Sequence, residues 1–198
     1  YNNINNVPKE YKKILPKFKN MANNKFNIIS SQFSIHYYFE NLSMLESYLE
    51  NISNNCKSGG YFIGTCYDGS KVFNLLNRIN KIEYIDELNN VVYYIEKDYT
   101  IDNFDYNSTD TSNMLGKKIK VYMDSIGKEI TEYLVNFDFM IDIMRKYGFN
   151  LLSNKTNNIL EDSLNSFELI LNKLPKIKDD KLNTNILSIL DNEPLMKL

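Results

Sequence analysis

The chain has no tryptophan, one histidine, two cysteines and four prolines in 198 residues. Cys56 and Cys66 are too few for a disulfide framework at this length, and their spacing matches no zinc signature. Two reduced thiols in an intracellular protein, with no metal site, are the expectation. No run of roughly 20 apolar residues exists, so no membrane-spanning helix is expected. Residues 1–13 are polar and lack the apolar centre of a signal peptide. The sequence opens on Tyr1 rather than Met, as a processed product or a fragment would. A cationic excess is missing too. A net charge of −2 and a pI of about 5.6 speak against gripping long nucleic acid through its phosphates. They leave room for one nucleotide held in a pocket by stacking and a few hydrogen bonds. Glycine is scarce: there are seven, and the first is Gly59.

What is present is an ordinary globular balance, 43% hydrophobic and 24% charged, in a length that suits one domain with a real core. Residues 1–25 read as a polar lead-in with a short helix over 10–19, interrupted or restarted at Pro16. Residues 26–30 read as a buried strand. Leu42, Leu45, Leu49 and Ile52 then repeat at helical spacing. Ser43 with Glu46 fits a capping box for that helix, and Asn41 is the alternative cap. Gly59-Gly60 closes the unit, a second buried strand runs over 61–65, and Asp68-Gly69 turns the chain into a helix over 70–79. Strand, helix, strand, turn, helix is the pattern of a parallel α/β sheet. Ligands of such sheets sit at the carboxyl ends of the strands, which draws attention to residues 31–39 and 66–70.

From about Ile82 the pattern becomes antiparallel. Strands are expected over 91–95, 117–123 and 129–135, with a hairpin turn at Ile126-Gly127 and a mobile polar loop over 98–113. A helix over 137–147 should turn Phe137, Met140, Ile141 and Met144 inward and stop at Gly148. A late strand over 149–152, a helix over 159–174 ending before Pro175 and a polar tail complete the reading. The whole divides into a lead-in (1–25), a parallel α/β portion (26–80), an antiparallel insertion with a helix (81–152) and a tail (153–198), within one domain.

The densest constellation is Gln32-Phe33-Ser34-Ile35-His36-Tyr37-Tyr38-Phe39, which sets an amide, the single histidine and four aromatics directly after a buried strand. Two readings of these residues stand side by side: core packing, and a pocket that stacks a planar base and reads its edge.

The segment resembles the mRNA cap guanine-N7 methyltransferase family. Its central motif, Gln-Phe-x-x-His-Tyr-x-Phe, is matched by Gln32, Phe33, His36, Tyr37 and Phe39, and its Gly-Gly-Tyr-Phe-Ile-Gly-Thr strand by Gly59 to Thr65. Further on, Thr131-Glu132-Tyr133-Leu134-Val135 is similar to the family's Glu-Phe/Tyr-Leu-Val strand, and Lys146 to Phe149 to its Lys-Tyr-Gly-Phe. Order and spacing agree from Phe26 to Leu152. Tyr67-Asp68-Gly69 adds a likeness to capping enzymes of large nucleocytoplasmic DNA viruses. Tyr38 departs from the motif, since many relatives carry Ser there; its ring could fill the core or narrow the pocket.

The resemblance implies an S-adenosylmethionine-dependent methyltransferase of class I (Rossmann-like) fold acting on 5′-capped RNA. By it, Gln32 and Tyr37 would touch the methyl donor. Phe33 and His36 would line the cap-guanine pocket, and Glu132 would accept hydrogen bonds from guanine's N1 and N2 edge. A carboxylate complements those paired N–H donors and repels the acceptor edges of other bases. It also implies location at the site of transcript capping: the nucleus, or the cytoplasm or virion if viral. No Asp-x-Gly-x-Gly pattern precedes Gln32, and the final residues carry no match to the family's cap-contacting aromatic strand. An incomplete fold lacking its amino-terminal strands is therefore expected. Such a fold would have an unpaired sheet edge, weak donor binding alone, and partners in the missing methyltransferase segment or other capping-enzyme domains. The alternatives are a non-catalytic fragment keeping a cap- or protein-binding surface, and a methyltransferase of this class with another substrate.

Overall fold

The structure, a computed structural model, describes residues 23–152; the helices expected over 10–19 and 159–174 lie outside them. The chain enters on strand β1 (Phe26–Gln32), passes through a 3₁₀ helix (Ile35–Glu40) and climbs helix α1 (Leu42–Asn55). It then returns on β2 (Cys56–Thr65). Leu45, Leu49 and Ile52 form the buried stripe of α1. The cap is Asn41, whose side chain accepts a hydrogen bond from Met44 N at 3.0 Å. Ser43 cannot cap, because Leu42 already begins the helix and Ser43 lies within its first turn. β1 and β2 pair in parallel, with Ile28 opposite Tyr61 and Gln32 opposite Thr65. The expected parallel α/β unit is thus present, though β2 starts five residues before the expected 61 because α1 runs straight into it at Cys56. Among the described residues these two strands pair only with each other.

Helix α2 (Gly69–Leu76) follows, then a four-stranded antiparallel sheet in the order β3 (Lys81–Ile85), β4 (Val91–Asp98), β5 (Lys118–Met123), β6 (Lys128–Tyr133). Alternation along these strands turns Tyr93, Ile95, Ile119, Val121 and Glu132 toward the core. The residues before β3 and after β6 join it to the parallel pair. Ile35, Phe39, Leu45 and Leu49 lie in one cluster with Val72, Phe73, Ile95, Ile119, Leu134 and Phe139.

Five details differ from the sequence reading. The strands expected to be buried over 26–30 and 61–65 are largely exposed, with Ile28 and Ile63 on the open face of the pair, because among the described residues no element covers that face. α2 ends at Leu76, leaving Ile79 49% exposed, because its apolar stripe is complete with Val72, Phe73 and Leu76. Helix α3 (Phe137–Lys146) buries Phe139, Ile143 and Met144, while Phe137 and Met140 only flank the core. Its orientation is set at its start: Asn136 is buried, accepts from Phe139 N at 3.0 Å and donates to the Phe104 carbonyl at 2.8 Å. Residues 149–152 form no strand. Gly148, at φ +88, reverses the chain, and Phe149 packs edge-on against Phe62. The polar loop 98–113 is anchored, since Phe104 is 3% exposed and its ring lies 5.4 Å from that of Phe73. None of the described helices is long and apolar enough to cross a membrane.

Candidate functional site

β1 ends at Gln32, and Phe33 turns away from it with φ +47, a left-handed conformation that costs a residue with a side chain roughly 1–2 kcal/mol. The 3₁₀ helix then sorts its side chains by a three-residue repeat. His36 and Phe39 share one side and are buried, at 4% and 0% exposure, whereas Tyr37 faces out. Tyr38 takes neither direction: its ring stacks on Tyr48 of α1 at 3.9 Å and 13°. That settles the departure at position 38, which belongs to the packing of α1.

Glu132 comes from the far side of the fold. In β6 it sits opposite Ile119, between exposed Thr131 and half-buried Tyr133, and the pleat sends its carboxyl inward. Two backbone hydrogen bonds tie the flanks of these elements, one from the approach to β5 to the end of the motif and one from the start of α2 to the segment after β6. Gly116 N donates to the Phe39 carbonyl at 2.9 Å, and Gly69 N donates to the Val135 carbonyl at 3.0 Å. The second requires glycine, since a Cβ at position 69 would collide with the Val135 backbone. Asp68 completes that corner by capping α2 through Ser70 N and Lys71 N, each at 3.1 Å.

The result is a buried meeting of His36 and Glu132, with Nε2 and Oε2 at 3.5 Å. That distance is too long for a hydrogen bond. Among the described residues, both ring nitrogens of His36 and Oε2 of Glu132 have no hydrogen-bond partner. Burial pushes the Glu132 carboxyl up to about 7 and the His36 imidazole down to about 4, so both tend to the uncharged form. Groups that face Glu132 are shifted in turn. Burial raises the Cys66 thiol and the Tyr67 hydroxyl to about 12, with Glu132 adding to both. Tyr37 is raised by burial and then by Glu132. Buried polar groups are nearly always paired, and leaving one unpaired costs about 1–3 kcal/mol. Three such atoms meet here, which makes this the candidate ligand site.

The five residues singled out by motif thus fall into two groups. His36 and Glu132 meet inside. Gln32, Phe33 and Tyr37 stand at the rim, with Phe33 57% and Tyr37 36% exposed. Motif reading gave no role to Thr65, Cys66 or Tyr67. Position at the end of β2, the second parallel strand, is the signal that pointed to this corner.

A methyl donor suits the rim in part. Gln32 and Tyr37 lie beyond the carboxyl end of β1, where ligands of parallel sheets bind, and carry polar atoms facing solvent. No glycine occurs before Gly59, so no glycine-rich loop precedes them in the 198 residues.

Comparison with known proteins gives a consistent result. Residues 7–194 match the family described as mRNA (guanine-N(7))-methyltransferase domain. The mRNA cap guanine-N(7) methyltransferase of Drosophila melanogaster is 29% identical over 132 residues, covering 67% of this chain and 28% of that protein. A protein of Acanthamoeba polyphaga mimivirus named "Probable mRNA-capping enzyme" is 30% identical over 174 residues, covering 84% of this chain and 14% of its own length. The Saccharomyces cerevisiae cap guanine-N(7) methyltransferase is 27% identical over 64% of this chain and 29% of its own. The chain therefore spans less than a third of each of these relatives. A Clostridium acetobutylicum S-adenosylmethionine-dependent methyltransferase overlays on 74% of the chain and 63% of its own at a TM-score of 0.44 and 18% identity. That likeness is too loose to carry the fold, which rests on the strand pairings above.

Proposed function

Because the chain belongs to the mRNA (guanine-N7)-methyltransferase family, we propose that the Phe33, His36 and Glu132 cluster receives the terminal guanine of 5′-capped RNA for methylation at N7. The observation that carries this is the buried Glu132 oxygen without a partner, beside an equally unpaired His36. Guanine offers two adjacent N–H donors at N1 and N2, which a carboxylate can accept together. Adenine presents an acceptor at N1 and would leave the carboxyl unpaired, the kind of mismatch that discriminates strongly. Phe33, exposed at the rim, supplies a ring for the base to stack on.

The chemistry asks little of the protein beyond placement. N7 of guanine carries a free lone pair at neutral pH, so no base is needed to create the nucleophile. S-adenosylmethionine, when bound, supplies an electrophilic methyl group on a sulfonium leaving group, and Gln32 and Tyr37 are the residues that would face it. The chain then contributes alignment, through a rigid pocket for one reactant next to the rim for the other. His36 is a positioning residue here. With its pKa held near 4 by burial, it stays neutral and does not repel a base that becomes cationic on methylation. The setting we propose is transcript capping, with capped RNA as partner, alongside other capping-enzyme domains, in the nucleus or, for a viral protein, the cytoplasm or virion.

A second reading is a cap-binding chain without turnover of its own. Methyl transfer from labelled S-adenosylmethionine to GpppG-capped RNA separates the two. Turnover that disappears in Glu132→Ala supports the enzyme. Cap binding without turnover supports the second reading, and binding of neither cap nor donor overturns both.

A further inference from the structure

We infer that Thr65 is a positioning residue, a clamp that fixes the polarity of the Gln32 amide and the bend at Phe33. Thr65 stands opposite Gln32 in the parallel pairing of β1 and β2, at the last rung of the ladder. Its hydroxyl oxygen accepts from Phe33 N at 3.1 Å, and its carbonyl accepts from the same N–H at 2.9 Å. An amide N–H can only donate, so it occupies a lone pair of Oγ1 and leaves the hydroxyl hydrogen to be given elsewhere. That hydrogen goes to Gln32 Oε1, at 2.8 Å. With its oxygen turned to Thr65, the amide must present its nitrogen on the other side, where Nε2 donates to Ser30 Oγ at 2.9 Å. One chain of hydrogen bonds therefore runs from Phe33 N–H through Thr65 to Gln32 and on to Ser30.

The consequence is chemical. An amide is ambiguous when free, because rotation by half a turn exchanges donor and acceptor. Clamped in this way, Gln32 keeps one Nε2 hydrogen for a ligand, so it would meet an acceptor group such as a carboxylate or a ring nitrogen. The same clamp holds Phe33 at φ +47, an angle that a residue with a Cβ keeps only when its surroundings impose it. Thr65 thus ties the donor-facing and the guanine-facing residues to one hydroxyl. The ligand half of this rests on the proposed reading of Gln32; the clamp itself does not, and the two fail separately.

The test uses the full chain, labelled with ¹⁵N, as Thr65→Val and Thr65→Ser variants. Valine matches the shape of threonine and removes the hydroxyl; serine restores it. The Gln32 side-chain amide signals should be dispersed in the wild type, collapse toward free-glutamine values in Thr65→Val, and recover in Thr65→Ser, with thermal midpoints close to one another. Titration with S-adenosylmethionine should then show roughly tenfold weaker binding in Thr65→Val and near-normal binding in Thr65→Ser. Gln32 signals that do not move in Thr65→Val overturn the clamp. Signals that collapse as expected in Thr65→Val, while the wild type shows no response to S-adenosylmethionine, leave the clamp standing and sink the donor role of Gln32.

Discussion

At Glu132 the fold keeps a carboxyl group where an apolar side chain would pack with less penalty. Its neighbours Ile119 and Val121 are buried and apolar, and among the described residues the ion-pairing group within reach is His36. Removing the carboxyl should therefore relieve the fold while destroying the site. Glu132→Leu is expected to raise unfolding free energy by about 1–3 kcal/mol at pH 8, measured by urea denaturation, and to abolish guanine binding. A destabilised Glu132→Leu variant would show that Glu132 is structural.

The pair also sets a pH response. Glu132, raised from 4.5 to about 7, favours the folded state below 4.5, and that contribution is lost as pH climbs through 7. His36, lowered from 6.5 to about 4, contributes above 6.5 and loses that contribution as pH falls through 4. The two oppose each other between about 4.5 and 6.5. Glu132→Gln should uncover the histidine limb, so that stability rises with pH across 4 to 6.5 more steeply than in the wild type. If Glu132 receives guanine as proposed, binding needs the carboxylate, so cap-analogue affinity should tighten as pH rises through about 7 in the wild type and lose this dependence in Glu132→Gln. Calorimetric titration at several pH values reads both. His36 and Glu132 were legible in the sequence through the motifs that carry them. Their separation of nearly a hundred residues hid the fact that they meet, because the pairing of β5 with β6 and contacts between distant segments decide it.

At the scale of the element, small polar residues decide where the larger pieces sit. Asn136 caps α3 with its side-chain oxygen and holds the 98–113 loop with its nitrogen, both while buried. Asn136→Ala should cost about 2–3 kcal/mol in denaturant unfolding, more than a cap alone, because the Phe104 carbonyl loses its partner too. Phe104→Ala should cost about 3–5 kcal/mol, a loss that a detached loop could not produce. Polarity concealed this loop's role: one phenylalanine among aspartates and asparagines is a weak signal until its neighbour Phe73 is known. The α1 stripe and the hairpin at Gly127 were readable because they are local, following from helical spacing and from a glycine at φ +70. The inward face of α3 was not, since Asn136 sets its rotation from outside the helix. Strand β3 escaped for a related reason: its five residues alternate too briefly to stand out before β4 is seen beside it.

For the whole molecule, the arrangement is a parallel β–α–β unit latched to an antiparallel sheet, with one cluster of apolar residues drawn from both. Each part supplies one side of the candidate site: the end of β1 brings Phe33 and His36, and β6 brings Glu132. The parallel pair keeps Ile28, Tyr61 and Ile63 half exposed on its outer face, which is unusual for parallel strands. The most direct test of the central claim is calorimetric binding of GpppA against ApppA to the full chain, repeated with Glu132→Gln. The account predicts at least a roughly tenfold preference for the guanine-containing compound, erased by the substitution. Equal affinity for the two compounds, or a preference that survives Glu132→Gln, would contradict it.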